Sequence, residues 1–294
     1  MQEGTIIRGR GGLYTVRSQE GQEYILRAKK KFRRLGLTPL VGDNILFTPG
    51  TGSDEHGWVE DILERNSAFI RPPVANVSLM AIVVAPRPEP DYLLIDRLLV
   101  FVQEQKLRAE IVVNKCDLDE TAFQTIQEQY VRADAPIYAV SAQTGQGLPA
   151  LENSFSGQTV CFCGQSGVGK STLLNALLDA KTETGAISQK IQRGKNTTRH
   201  VELFCAERYR LMDTPGFSLL ELGSERQDPV LLQEQYPEFA PYQGQCRFQP
   251  CYHLREPGCR VLEAVRAGEI PLERVERYHT LLKETQERWR ERYD

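Results

Sequence analysis

At 294 residues the chain has room for two or three domains of roughly 100–150 residues each. With 40% hydrophobic residues, 26% charged residues and a net charge of −3, it is neither a disordered nor a uniformly basic nucleic-acid-binding chain, although a local basic patch fits. It has no run of about 18 apolar residues and no apolar signal core in MQEGTIIRGRGG, so a cytoplasmic protein without a membrane span is expected.

Residues 1–70 alternate in short segments (Thr5–Ile7, Leu13–Val16, Glu23–Leu26, Asn44–Thr48, Gly57–Ile62) separated by Gly, Pro and polar turns. That pattern predicts a small β-barrel. An oligonucleotide-binding (OB) fold leads, and strand count alone fits an SH3-like barrel as well. Arg27, Lys29, Lys30, Lys31, Arg33 and Arg34 put six cations in eight residues. They repel one another unless an anion lies nearby; RNA phosphate fits, and a solvated loop is the competing reading. Asn66–Val77, with Pro72 and Pro73, reads as a linker.

Residues 71–223 alternate apolar strands with helical segments. Strands are expected at Leu79–Val84, Glu110–Val113, Ile137–Val140, Thr159–Cys163, Val201–Cys205 and Tyr209–Met212, with helices at Tyr92–Gln105, Glu120–Arg132 and Lys170–Leu178. The implied fold is a doubly wound α/β sheet. Residues 224–294 read as helical and polar, broken by a cysteine cluster. The closing Leu272–Tyr293 segment mixes Glu and Arg and is expected to be a solvated amphipathic helix.

GQSGVGKS (Gly164, Gln165, Ser166, Gly167, Val168, Gly169, Lys170, Ser171) fits the P-loop pattern between a strand and a helix that also holds Thr172. Such a loop aims backbone N–H groups and a helix dipole at phosphates. Lys170 would reach the β- and γ-phosphates, and Ser171 would ligate Mg²⁺. NKCD (Asn114, Lys115, Cys116, Asp117) ends the strand at 110–113. A carboxylate there can accept from both N1–H and N2–H₂ of guanine, a donor pair that adenine lacks. Asn114 would face the N7/O6 edge of the purine and the Lys115 stem would cover the ring. Ser141 and Ala142 sit where the backbone of GTPases meets guanine O6.

DTPG, from Asp213 to Gly216, ends another strand. Asp213 would hold Mg²⁺ through water, and the Gly216 N–H would meet the γ-phosphate. Thr197 and Thr198 lie in the polar stretch before it, and Thr198 is favoured as the Mg²⁺-sensing switch residue. In an ordinary Ras-type GTPase the base-reading motif follows the P-loop; here it precedes it. The chain is therefore read as a circularly permuted GTPase binding GTP or GDP with Mg²⁺.

Cys246-x₄-Cys251-x-His253-x₅-Cys259 offers three thiolates and an imidazole, a closed tetrahedral set for one structural Zn²⁺. Cys161 and Cys163 alternate on a buried strand and read as core.

These motifs together resemble the ribosome small-subunit-dependent GTPase A (RsgA) family: a basic OB-like barrel, NKCD before GQSGVGKS, TTRH, DTPGF and CRFQPCYHLREPGC. A monomer is expected, and the resemblance implies a GTPase that binds the small ribosomal subunit and its rRNA late in maturation. Hydrolysis would be stimulated by the subunit and coupled to release. It also implies three parts, an RNA-binding barrel (1–70), a permuted GTPase domain (71–223) and a zinc-binding helical domain (224–294). Many members carry a histidine before the paired threonines where this chain has Asn196, and Phe217 stands where Ras-like enzymes place glutamine. Asn196 is thus the candidate for positioning the attacking water, which it could orient but not deprotonate. Two competing readings are an RNA-binding assembly factor using GTP only as a conformational ligand, and a different P-loop phosphotransferase that binds adenine.

Overall fold

The computed structural model describes residues 1–50, 56–69, 72–119, 121–179, 201–213 and 228–291. Thr197, Thr198, Asn196, Gly216 and Phe217 lie outside them.

The N-terminal strands are β1 (Gln2–Arg10), β2 (Leu13–Ser18), β3 (Glu23–Ala28), β4 (Asn44–Thr48) and β5 (Gly57–Ile62), with a short helix α1 (Lys30–Arg34) after β3. Their order is β1-β2-β3-β5-β4, and pairing of β1 with β4 closes the barrel. The β3–β5 pair is parallel and the others are antiparallel. Ile6, Val16, Leu26, Ile45, Phe47 and Val59 fill the inside with no exposed surface, as period-two alternation requires. Closure and the helix after the third strand decide for the OB-like arrangement. A correction concerns Asn66–Val77, read above as a linker. It carries a two-stranded hairpin, β6 (Ala68–Phe69) with β7 (Val74–Ala75), and Val74, Ala75 and Val77 are buried. Pro72 and Pro73 mark its turn, and the apolar residues after them are ordinary core.

The α/β elements follow in chain order: β8 (Leu79–Val84), α2 (Tyr92–Glu104), β9 (Arg108–Val113), α3 (Thr121–Tyr130), β10 (Ile137–Ala139), α4 (Leu148–Ser154), β11 (Thr159–Cys163), α5 (Lys170–Asp179), β12 (Glu202–Cys205) and β13 (Arg210–Asp213). The described residues divide into two compact units. The first takes those of Met1–Ala81, Leu148–Cys163 and Lys170–Leu220; the second takes those of Ile82–Gly147, Gly164–Gly169 and Glu221–Asp294.

In the first unit, β11 pairs parallel with β13, β13 antiparallel with β12, and β12 antiparallel with β1 of the barrel. Arg8 and Glu202, register partners there, form an ion pair at 2.6 Å. In the second unit β9 lies parallel to β10 and next to β8. All six β8 residues are buried, as expected of a strand covered on both faces. Asp91 caps α2 by accepting from the Leu94 N–H at 2.9 Å, satisfying one of the first-turn donors.

The second unit also holds 3₁₀ turns at Pro229–Gln235 and Pro237–Tyr242, and helices α6 (Arg260–Arg266) and α7 (Leu272–Arg290). Here the expectation of a solvated closing helix is overturned. α7 buries Arg274, Val275, Tyr278, Leu281 and Leu282. Arg274 has no exposed surface; its Nη1 lies 2.6 Å from Asp96 and its Nε 2.6 Å from Glu238. Its guanidinium also sits 4.4 Å and 5.2 Å from the ring centroids of Tyr236 and Tyr130. Arg277 adds a 2.8 Å bond to Asp96, and the Tyr130 hydroxyl donates to Asp96 at 2.6 Å. Arginine reads as surface in a local pattern because its compensating carboxylates lie far off in the chain. Among the described residues no helix is long and apolar enough to cross a membrane.

Candidate nucleotide site and metal centre

In the second unit Asn114 is almost fully buried at the end of β9. Its Nδ2 donates to the Val168 carbonyl at 2.9 Å, and its Oδ1 accepts from the Ala142 N–H at 3.0 Å. One carboxamide thereby joins three segments distant in sequence: NKCD, the Ser141–Ala142 turn and the glycine-rich loop. A carboxamide has two N–H bonds and two lone pairs, so one of each is left for a purine edge. Lys115, with φ at +61°, sends its Nζ to the carbonyls of Gly167 and Arg87 at 2.7 and 2.8 Å. Ser141 is buried, its Oγ accepting from the Thr144 N–H at 3.1 Å. Asp117 is exposed, leaving its carboxylate open to a base.

Glycine is required at two points of the loop. Gly164 and Gly169 have φ of +121° and +94°, where side chains are strained. A Cβ at Gly169 would stand 2.5 Å from Asn114 Nδ2, and one at Gly164 would stand 2.2 Å from the Val83 carbonyl oxygen. Any other residue at 169 would push out the carboxamide that ties the loop to NKCD. Gln165, Ser166, Gly167 and Val168 complete the loop, with Ser166 and Gly167 exposed.

In the first unit α5 begins at Lys170, and Ser171 and Thr172 are exposed in its opening turn. Burial pulls the Lys170 ammonium pKa down, against the neighbouring Cys163 and Asp213. Burial pushes the Asp213 carboxyl up, and Glu202 across the β12–β13 ladder pushes the same way, while Lys170 opposes. Lys170 and Asp213 are thus a half-buried opposite-charge set, each less content ionised than in water. A phosphate near Lys170 and a divalent cation near Asp213 would each favour the ionised form that burial disfavours.

Cys246, Cys251, His253 and Cys259 are all buried, with their ligand atoms within 4.8 Å of one another. Cys246 Sγ lies 3.8 Å from His253 Nδ1 and 4.0 Å from Cys259 Sγ, and His253 Nδ1 is 3.2 Å from Cys259 Sγ. A tetrahedral zinc with bonds of about 2.3 Å to sulfur separates sulfurs by about 3.8 Å, so the donor set fits that ion. Burial pushes the Cys251 thiol up to about 12 and that of Cys259 up as well, while it pushes the His253 imidazole down. The imidazole is therefore neutral, as a ligand must be, and the thiols need a cation to ionise. With Nδ1 turned to the sulfurs, Nε2–H donates to Gln233 Oε1 at 2.8 Å. Such an outer partner orients a ligating imidazole. Gln233 carried no spacing signal in the sequence.

Two family models match the chain: "RsgA N-terminal domain" over residues 3–59 and "RsgA GTPase" over residues 62–223. The chain belongs to the RsgA GTPase family. It is 42% identical over 289 residues to the small ribosomal subunit biogenesis GTPase RsgA of Ruminiclostridium cellulolyticum, covering 96% of this chain and 93% of that protein. The RsgA of Geobacillus sp. strain WCH70 is also 42% identical, covering 98% of this chain and 99% of that protein. Among solved structures, YjeQ from Thermotoga maritima superposes with a TM-score of 0.80 at 32% identity, covering 97% of this chain and 98% of that one. YloQ, described as a circularly permuted GTPase, gives 0.78 at 31% identity over 98% and 96%. Membership fixes the activity class as GTP hydrolysis and the permuted order of the nucleotide motifs.

The basic run occupies the end of β3 and α1 in the first unit. Lys29 pairs with Glu60, and Lys31 lies 3.9 Å from Asp61, both carboxylates on β5. Arg27, Lys30, Arg33 and Arg34 are exposed and make no ion pair among the described residues. Phe32 is buried and anchors the helix.

Proposed function

We propose that this chain is a GTP hydrolase that binds the small ribosomal subunit during its late maturation, with turnover stimulated by the subunit and coupled to release. The observation that carries the reading is the Asn114 bridge, which ties a guanine-reading NKCD to a P-loop placed after it in the chain. Curated relatives named for small-subunit biogenesis supply the partner. The guanine would be read by Asp117, with Asn114, Lys115, Ser141 and Ala142 around it. The phosphates would be held by the backbone of Gly164–Gly169, by Lys170 and by the opening turn of α5 with Ser171 and Thr172.

Ser171, Thr198 and Asp213 are the residues that would hold Mg²⁺, which would supply charge neutralisation on the phosphates. Lys170 would stabilise charge growing on the leaving diphosphate, and Gly216 is the candidate N–H donor to the γ-phosphate. Asn196 is the candidate for orienting the attacking water by hydrogen bonding. Cys246, Cys251, His253 and Cys259 would hold Zn²⁺, which would tie the C-terminal core together, and four protein ligands would leave no position for substrate. The division of labour follows residues 1–70, 71–223 and 224–294. The cations of 27–34 contact rRNA, and the protein acts as a cytoplasmic monomer.

GTP turnover titrated with purified small subunits tests this reading. Stimulation is expected for the parent, and Lys170→Ala should lower stimulated turnover by about 10²-fold or more. Turnover indifferent to subunits would instead support the RNA-binding factor that uses GTP only as a conformational ligand. Competition by ATP equal to that by GTP would remove the guanine assignment.

A further inference from the structure

The barrel's register assembles a surface beyond the basic run. In the parallel β3–β5 pair Arg27 faces Trp58; in the β2–β3 pair Leu13 faces Arg27 and Thr15 faces Ile25. Residues opposite one another share a face of the sheet, on strands about 4.8 Å apart. The intervening residues Val16, Leu26, Gly57 and Val59 are the buried set, so Ile25, Arg27 and Trp58 belong to the outer face. Trp58 is 45% exposed and Ile25 52%. Leaving nearly half an indole in water forgoes a large burial term that the inward position next to it would have supplied.

Arg27, the ring's register partner, is an unmatched cation, and α1 begins three residues further along the chain. Arg27, Lys30, Arg33 and Arg34 lack ion-pair partners among the described residues, whereas Lys29 and Lys31 are matched by Glu60 and Asp61. The acidic neighbour on the same strand, Glu23, is directly opposite Arg17. An exposed aromatic beside unmatched cations suits a strand that offers flat bases and a phosphate at every step. Duplex RNA hides its base faces, so the partner that fits is single-stranded.

We propose that Trp58 is a base-stacking platform for single-stranded RNA, whose phosphates are met by Arg27 and the unmatched cations of α1. This rests on the RNA reading of residues 27–34 and adds to it a residue and a mode of contact.

The chain has two tryptophans, Trp58 and Trp289. In a full-length Trp289→Phe variant Trp58 becomes the sole indole reporter. Titration with a ten-nucleotide oligouridine should quench its fluorescence, with an affinity that falls as salt rises. Trp58→Ala, measured by fluorescence anisotropy of labelled RNA, should weaken binding about 5- to 150-fold. Trp58→Phe should keep most of the affinity, and Trp58→Leu, apolar but without a ring, should lose it. Basal GTP turnover should be unchanged in each. Full affinity in Trp58→Leu would overturn stacking, as would equal quenching by an acidic peptide of the same length. If Lys30→Glu with Arg33→Glu abolishes binding while the Trp58 variants do not, the stacking role falls and the RNA reading of the run stands. If neither set alters binding, or the parent binds no RNA, both fall.

Discussion

Two polar centres of the second unit are equally buried and are held together by opposite means. At Asn114 a neutral carboxamide spans two backbone segments with bonds of 2.9 and 3.0 Å. At Arg274 a full charge is enclosed by Asp96, Glu238 and the faces of Tyr130 and Tyr236. The neutral centre keeps hydrogen-bonding capacity in reserve and stands beside an exposed carboxylate, Asp117. The ionic centre directs its charge inward to protein groups, which suits holding α2, α3, α7 and the 3₁₀ turns in one core. A buried neutral group beside an exposed carboxylate points to a ligand, whereas a buried charge surrounded by internal counter-charges points to architecture.

The strongest way to break the architectural side is to remove the metal. Structural zinc sites of this kind bind with about 10–16 kcal/mol, so chelation or Cys251→Ser should unfold the core around Phe239, Val261 and Tyr278. Loss of near-UV ellipticity together with release of one zinc per chain is the expected outcome, and a chain purified without zinc yet fully ordered would contradict it.

Asp96→Ala comes next. It strands two arginines, one with no exposed surface, and should cost about 3–5 kcal/mol in denaturant unfolding. Asp96→Leu with Arg274→Met and Glu238→Leu should recover much of that loss, because the whole ionic set is then replaced and no buried carboxylate is left without its arginine. A triple variant as unstable as the single one would show that the charges matter for more than mutual compensation.

On the neutral side Asn114→Ala removes two hydrogen bonds and frees the glycine-rich loop. GTP affinity should fall about 10- to 100-fold, from roughly 1 kcal/mol or a little more per bond. The loss of stability should be smaller than for Asp96→Ala. The reverse ranking would erase the distinction between the two centres.

The smallest effect belongs to Glu104 at the end of α2. Burial pushes its carboxyl up to about 7, with Arg288 opposing. An acid whose folded pKa is raised costs no stability while protonated; the cost appears as pH climbs from its ordinary 4.5 through 7. Glu104→Gln should therefore raise the melting temperature at pH 8 and leave it unchanged at pH 4. Equal shifts at both pH values would exclude ionisation as the cause.

Much of the candidate nucleotide site was legible because the groups it would use are local. GQSGVGKS and NKCD each place several functional groups within one turn, and strand alternation marks where each turn must fall. The cysteine cluster was legible for the same reason, with four donors inside fourteen residues. The hairpin at 68–75 was hidden by two prolines that mimic a linker, and α7 by arginines that mimic a surface. Trp58 gave no signal either, since an aromatic on a β-strand is ordinarily core.

The sequence by itself determined the family, the permuted order of motifs and the elements that carry them, because backbone propensity and phosphate-binding geometry act over a few residues. Only the tertiary structure decided that Asn114 braces the P-loop, that Gln233 orients His253, that Arg274 is interior and that Arg27 stands beside Trp58. Each of these depends on strand register or on a partner distant in the chain, and no local pattern encodes which remote group will arrive to satisfy a polar one.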